Sequence, residues 1–274
     1  MRYFLGVGAQ KCGTTWLHRQ LERHPQVALP VAGKELHYFD SLGETRAGEP
    51  FAAHQLDVVE RLARTMREDG VARPAQLERV ANVARAVGTV LRGHEAYRSD
   101  LAEAAGEGTL VAGEITPAYA CCTEEQFALM RTVLDTPRVV FVMRDPLARH
   151  WSAVRYQHAD PEQRARTWER AHRWRTYRAR GDYRTTVELL DRTFPADAVL
   201  HLFYEDLFTE ETLRRVAAHL GVDERWDWDL GTVVKGSGDD ERPDPPPGLE
   251  RWLAEQYVFV RDRFGGAVPA SWDH

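Results

Sequence analysis

Short apolar runs alternate along this chain with longer stretches of helical periodicity. The runs at 3–8, 108–112, 138–143 and 198–203 are rich in β-branched and aromatic residues and predict strands. Amphipathic spacing between them predicts helices over 14–24, 54–69, 75–92, 123–134, 146–158, 160–179, 183–193 and 209–220. Apolar strands alternating with helices predict an α/β fold, a central parallel sheet flanked by helices on both faces. Residues 41–107 hold helices and no strand, and read as a helical insertion within a single domain over 1–274. The Gly-, Asp- and Pro-rich run 236–248 is incompatible with a regular element and predicts a loop before a last helix at 249–264.

Composition narrows the class. A chain of 274 residues suits one domain, and its 43% apolar fraction supplies a sizeable core. The net charge of −6 argues against nucleic acid as a partner. No apolar run approaches the ~18 residues of a membrane span, and no charged segment with a long apolar stretch precedes the first strand. These features predict a soluble, cytoplasmic protein with no membrane partner; the oligomeric state is left open. Cys12, Cys121 and Cys122 offer neither a disulfide framework nor metal-ligand spacing. Of 36 basic residues, only Lys11, Lys34 and Lys235 are lysine. A coding bias toward arginine explains the scarcity. It also makes each lysine a candidate functional group, because ammonium and guanidinium are not interchangeable at tight anion sites. The arginine-dense stretch 164–180, with Trp168, Trp174 and Tyr177, reads as a solvated helix with one packed side.

The chemistry concentrates at two strand ends. Gly8-Ala9-Gln10-Lys11-Cys12-Gly13-Thr14-Thr15-Trp16 joins the first strand to the first helix. Its glycines are spaced as in the G-x-x-x-x-G-K-[ST] phosphate loop, but the lysine lies inside the loop. Backbone N–H groups, a helix N-terminus and the Thr14 and Thr15 hydroxyls converge there on an anion. The competing reading is a glycine turn with Thr14 or Thr15 as N-cap. The second strand end is Arg144-Asp145-Pro146, with Arg149 and Ser152 on the helix that follows. Arg144 points into the crevice where parallel sheets bind ligands, and Ser152, about two turns on, is placed to share a phosphate with it. Asp145 is either a magnesium ligand on a Walker-B strand or an N-cap with proline at N1; the proline favours the cap.

Together these motifs resemble the sulfotransferases that use 3′-phosphoadenosine 5′-phosphosulfate (PAPS). Gln10–Trp16 resembles their 5′-phosphosulfate loop, and Arg144 with Ser152 their 3′-phosphate site. Lys34-Glu35-Leu36-His37-Tyr38-Phe39-Asp40 and Glu114-Ile115-Thr116-Pro117-Ala118-Tyr119 are similar to segments of the heparan sulfate branch, with Ile115 where that branch has lysine. Lys235-Gly236 resembles the loop that closes over the nucleotide, and Phe203–Leu207 the cytosolic branch. Residues 41–107 match no motif of the family.

The resemblance implies a P-loop-like sulfotransferase architecture. It implies in-line transfer of a sulfonate group from PAPS, without a metal, to a hydroxyl of a carbohydrate or secondary-metabolite acceptor. Gln10, Lys11, Cys12, Gly13, Thr14, Thr15, Trp16, Arg144, Ser152, Tyr204, Lys235 and Gly236 are then expected at the nucleotide. Lys11 stabilises charge on the leaving oxygen. Trp16 either stacks on adenine or packs in the core. Glu35 is the expected base, with His37 as the alternative. Lys34, Glu114 and Thr116 are assigned to the acceptor, a small molecule or saccharide. Two other readings compete: an ATP-dependent, kinase-like P-loop transferase, and a non-catalytic nucleotide-binding protein.

Overall fold

The computed structural model describes residues 1–48, 59–60, 63–64, 66–67, 74–158, 160–231 and 242–272. Five parallel strands form one sheet: β1 Arg2–Gly8, β2 Val27–Ala28, β3 Val111–Ile115, β4 Arg138–Met143 and β5 Val199–Phe203, in the order β2-β3-β1-β4-β5. The helices are α1 Thr14–Glu22, α2 Pro74–Arg92, α3 His94–Leu101, α4 Glu124–Val133, α5 Pro146–Gln157, α6 Pro161–Arg170, α7 Arg175–Gly181, α8 Tyr183–Thr193, α9 Glu210–Leu220 and α10 Pro247–Phe264. The expected α/β fold is the observed one. Val139, Val140, Phe141 and Val142 of β4 are all at most 1% exposed, as a strand covered on both faces requires. Each such side chain contributes about 1.5–3 kcal/mol relative to exposure.

β1 lies at the centre, with β3 on one side and β4 on the other. From β1 the chain passes to the edge strand β2, returns inward to β3 beside β1, and then crosses to β4 and β5 on the other side. The crevice at the strands' carboxyl ends, where the order reverses, is where an open α/β sheet takes ligands. Gly8, Ile115, Met143 and Phe203 end four strands at that edge. The loops after them carry Lys11, Thr116, Arg144 and Tyr204.

Several boundaries differ from the sequence expectation. The strand placed at 108–112 runs over Val111–Ile115. Gly113 and Glu114 look like a strand end, but the structure hydrogen-bonds the buried Glu114 carboxylate and the strand continues through it. β2, with two residues, is too short to leave a periodic signal. The continuous helix expected over 160–179 is split at Ala171–Arg173 and by the extended Trp174 (φ −87°, ψ 129°). Trp168 and Tyr177 there are buried in a second cluster with Leu147, Trp151 and Trp252. Within 41–107, α3 buries Tyr97 and Leu101 in the main core, so this part of the segment is joined to the sheet. Most of the expected helix 54–69, and 236–241 of the expected loop, lie outside the described residues.

Gly113 marks the closest approach in the sheet. A Cβ there would lie 2.2 Å from the carbonyl oxygen of Phe4 on β1 and 2.3 Å from its ring. Because the obstacle is backbone, Gly113→Ala is expected to lower stability by about 1–3 kcal/mol or more. Urea unfolding measures this; an unchanged midpoint would mean that the β1–β3 spacing yields freely.

Candidate active site

The loop after β1 is tied to β4 by the Ala9 N–H, which donates to the Val142 carbonyl at 2.7 Å. It closes on α1 through Gly13 at φ 78°, with no side-chain cap and no acidic residue in the first turn. The N-cap is Gly13, not Thr14 or Thr15, so both threonine hydroxyls are released from capping. A Cβ on Gly13 would meet Leu207 at 2.6 Å and Tyr204 at 3.1 Å. The glycine thus admits the segment after β5 against the loop. Lys11, also at positive φ (70°), directs its Nζ over the Tyr156 ring at 3.9 Å. Burial, then the charges of Arg144, Arg155 and Lys34, lower the Lys11 pKa. Four cations thus sit within electrostatic reach of one loop.

Arg144 completes this half. Its Nη1 donates to the Lys11 carbonyl at 3.2 Å, and its guanidinium lies 4.2 Å from the centre of the Tyr204 ring. Asp145 is an N-cap: its Oδ1 accepts from the Ala148 N–H at 2.6 Å, with Pro146 beginning α5. Its Oδ2 accepts from Tyr257 at 2.7 Å, which leaves the magnesium-ligand reading without support. Ser152 lies further along α5, 9% exposed. Trp16 is only 2% exposed and packs edge-on against Phe208, the arrangement of a core residue. Cys12 is fully buried and burial pushes its thiol up to about 11. The thiol is therefore neutral, although it sits in a loop of backbone N–H groups. Lys235 and Gly236 lie outside the described residues.

The second half is the segment Lys34–Asp40. The Ile115 N–H donates to the Lys34 carbonyl at 3.3 Å, the Leu36 N–H to Glu114 at 2.7 Å, and the Tyr38 N–H to the Tyr119 hydroxyl at 2.9 Å. Leu36 and Tyr38 are buried, which turns Glu35, just before Leu36, outward. Lys34 bridges the two halves: its Nζ donates to Thr14 Oγ1 at 3.2 Å and to Glu35 Oε1 at 2.7 Å. His37 lies between two carboxylates, Nδ1 at 2.8 Å from Asp40 and Nε2 at 3.1 Å from Glu35. Burial works against charging His37, but Asp40 and Glu35 outweigh it and raise its pKa to about 9. Burial likewise opposes the Glu35 charge, and His37 and Lys34 overcome it and hold the carboxyl at about 2. At neutral pH the group is therefore a chain of alternating charges, Lys34⁺, Glu35⁻, His37⁺ and Asp40⁻.

Glu114 and Thr116, expected at the acceptor, are both 0% exposed. Glu114 accepts from Tyr97 at 2.6 Å, Tyr119 at 2.7 Å, Thr116 and the Leu36 N–H. Burial raises its pKa against these bonds. Both residues serve the core and hold the Lys34–Asp40 segment in place; they do not face a ligand. Beside the segment opens a cleft of about 1040 Å³ reaching from Lys34, Glu35 and His37 to Arg149, Trp174 and Arg180. The sequence reading gave Asp40, Tyr156 and Arg149 no role, and read Arg180 only as part of the solvated, arginine-dense stretch 164–180. The spacing of Arg149 and Tyr156, seven residues apart on α5, already put them on one helix face.

A family model described as the sulfotransferase family matches residues 4–227. The chain belongs to this family. A solved sulfotransferase from Alicyclobacillus acidocaldarius is 20% identical, with a TM-score of 0.65 over 100% of this chain and 99% of that one. The sulfotransferase domain from the curacin biosynthetic pathway is 12% identical, with a TM-score of 0.48 over 93% and 96%. A search of curated proteins finds no match. The sulfotransferase is thus a transferase by family and fold. No helix among its described residues is long and apolar enough to cross a membrane.

The charge chain makes stability depend on pH with a definite sign. The folded pKa of His37 lies above its ordinary 6.5, so its contribution is complete below pH 6.5 and disappears as pH rises through about 9. Glu35 acts oppositely, losing its contribution as pH falls from 4.5 through about 2. Urea midpoints of wild type and His37→Gln are expected to differ more at pH 6 than at pH 9.5; a constant difference would show that His37 is not held protonated.

Proposed function

We propose that this sulfotransferase moves a sulfonate group from PAPS to an acceptor hydroxyl by in-line displacement. The observation that carries the reading is the cation cluster at the loop after β1. There the Arg144 guanidinium bonds the Lys11 carbonyl at 3.2 Å, and burial, then the charges of Arg144 and Arg155, lower the Lys11 pKa. Like charges held this close call for an anionic ligand, and a nucleotide with two phosphorylated positions supplies one. PAPS provides an activated sulfonate whose leaving group is a phosphate. Lys11 meets the charge that develops on the leaving oxygen. Arg144, beside the Tyr204 ring, and Ser152 on α5 hold the 3′-phosphate, and the Thr14 and Thr15 hydroxyls and loop N–H groups hold the 5′ side. Lys235 and Gly236 are proposed to close over the nucleotide.

Glu35 takes the acceptor proton. His37 has both ring nitrogens committed to carboxylates and is held protonated, so it lacks the lone pair a base needs. Glu35 is ionised but clamped by Lys34 and His37. Lys34 also reaches Thr14 of the donor loop. When Lys34 swings toward the donor's charge it releases one clamp, and the Glu35 carboxylate becomes more basic as transfer begins. His37 and Asp40 keep it oriented. The acceptor class is a carbohydrate or secondary-metabolite hydroxyl, met in the cleft beside Glu35.

Thermal-shift measurements test the donor. Adenosine 3′,5′-bisphosphate is expected to raise the melting temperature where ATP with magnesium does not, and the reverse result would replace the reading with a kinase-like one. Lys11→Ala is expected to lower turnover by about 10²-fold or more, and Lys11→Arg to recover little of it. For the base, Glu35→Gln is expected to cost about 10²–10⁴-fold in kcat. The wild-type kcat/KM, which reports the free enzyme, should hold down to acidic pH, because Glu35 clamped by Lys34 and His37 stays ionised there. Full activity in Glu35→Gln would remove it from the mechanism.

A further inference from the structure

The lining of the cleft holds a charge that nothing described in the protein neutralises. Arg149 is 1% exposed, and its Nε, Nη1 and Nη2 have no hydrogen-bond partner among the described residues. A buried guanidinium without a counter-ion is among the most costly arrangements in a folded chain. Its titratable surroundings do not relieve it. Cys12, Cys121, Tyr177 and Tyr183 feel its field, yet burial keeps all four neutral. The adjacent His150 is pushed down to about 3 by burial and by Arg149 itself, and so is uncharged as well. A Cβ at Gly181 would lie 3.3 Å from Nε and Nη2, so that glycine leaves room for the guanidinium.

Arg149 lines the cleft together with Arg180, whose Nη1 donates to Gln10 Oε1 at 3.1 Å. Arg149, Ala153 and Tyr156 face it from successive turns of α5. The acidic groups of the cleft, Glu35 and Asp40, are engaged by Lys34 and His37. The Arg149 charge reaches the Cys12 thiol in the loop after β1, and its side chain lines the cleft that also holds Glu35 and His37, so the charge is available to a molecule bound there. Two partly exposed rings, Tyr156 and Trp174, flank the same space and offer apolar faces to a ring-bearing molecule.

We propose that Arg149 and Arg180 form an oxyanion-binding subsite that selects acceptors carrying a carboxylate or similar anionic group remote from the hydroxyl to be sulfonated. The proposal rests on the sulfotransferase reading above and names the acceptor class within it. A guanidinium fork binds a carboxylate with two parallel charge-assisted hydrogen bonds, and does so most strongly where water is excluded. The acceptor's anion relieves the buried charge, while its hydroxyl lies toward Glu35 in the same cleft.

The test measures binding by calorimetry to the enzyme, with and without saturating adenosine 3′,5′-bisphosphate. The probes are two matched pairs, 4-hydroxybenzoate with 4-hydroxybenzamide and 4-nitrophenyl β-glucuronide with 4-nitrophenyl β-glucoside, plus inorganic sulfate. The anionic member of at least one pair is expected to bind at least about tenfold more tightly than its neutral partner. That preference should vanish in Arg149→Met. Because the substitution removes an unpaired buried charge at similar volume, its melting temperature should be unchanged or raised. Should Arg149→Met melt lower, the same binding comparison on Arg180→Met decides, with loss of the preference expected. Equal binding within both pairs, a preference retained in the deciding variant, or binding of sulfate alone would each overturn the subsite. Failure of adenosine 3′,5′-bisphosphate to bind would instead sink the donor assignment, and is read independently.

Discussion

One buried carboxylate organises the half of the site that carries Glu35 and His37. Glu114 has no cation partner among the described residues and is stabilised by hydrogen bonds alone, from Tyr97, Tyr119, Thr116 and the Leu36 backbone. A charge in that position cannot tolerate the loss of a donor without leaving an unsatisfied group in the core. It therefore fixes, at one point, the end of β3, the helix α3, the turn at Pro117–Cys121 and the segment that presents Glu35 and His37. The stacked rings of Tyr38 and Tyr97, 4.3 Å apart, reinforce the same junction.

From this anchor the site acquires its polarity. The loop after β1, held by Gly13 and by the bond from Ala9 to β4, sits in the field of Lys11, Arg144, Arg155 and Lys34. The Lys34–Asp40 segment gathers carboxylates and sets a cation between them. Lys34 touches both, through Thr14 on one side and Glu35 on the other, so the two halves communicate through a single ammonium. Like charges held together, and above all the buried Arg149 guanidinium with no hydrogen-bond partner among the described residues, destabilise the resting fold, a cost that folds retain where function needs it.

Much of this was legible in the residues. Four of the five strands, the parallel α/β architecture and the displaced lysine of the loop followed from apolar runs and glycine spacing, because strand burial and tight turns impose local compositional demands. The capping role of Asp145 was likewise local, signalled by the proline after it. The less visible features depend on contacts between distant segments. Glu114 and Thr116 carry the polar signature of a ligand site, yet Tyr97, 17 residues away, and Leu36, 78 away, turn them into core groups. Trp16 follows the loop as a stacking residue would, but Phe208 encloses it.

By itself, then, the sequence determined which residue types stand at the ends of which strands, since backbone geometry and the burial of a two-faced sheet are written in short-range patterns. The tertiary structure decided which of those residues are charged, which face the cleft and which are consumed by the core. Protonation and exposure depend on neighbours brought together from across the chain. Glu35, His37 and Arg149 illustrate the division. The sequence placed them on a loop and a helix; only their partners, or the lack of one, made them a clamped carboxylate, a cationic imidazole and a buried charge without a counter-ion.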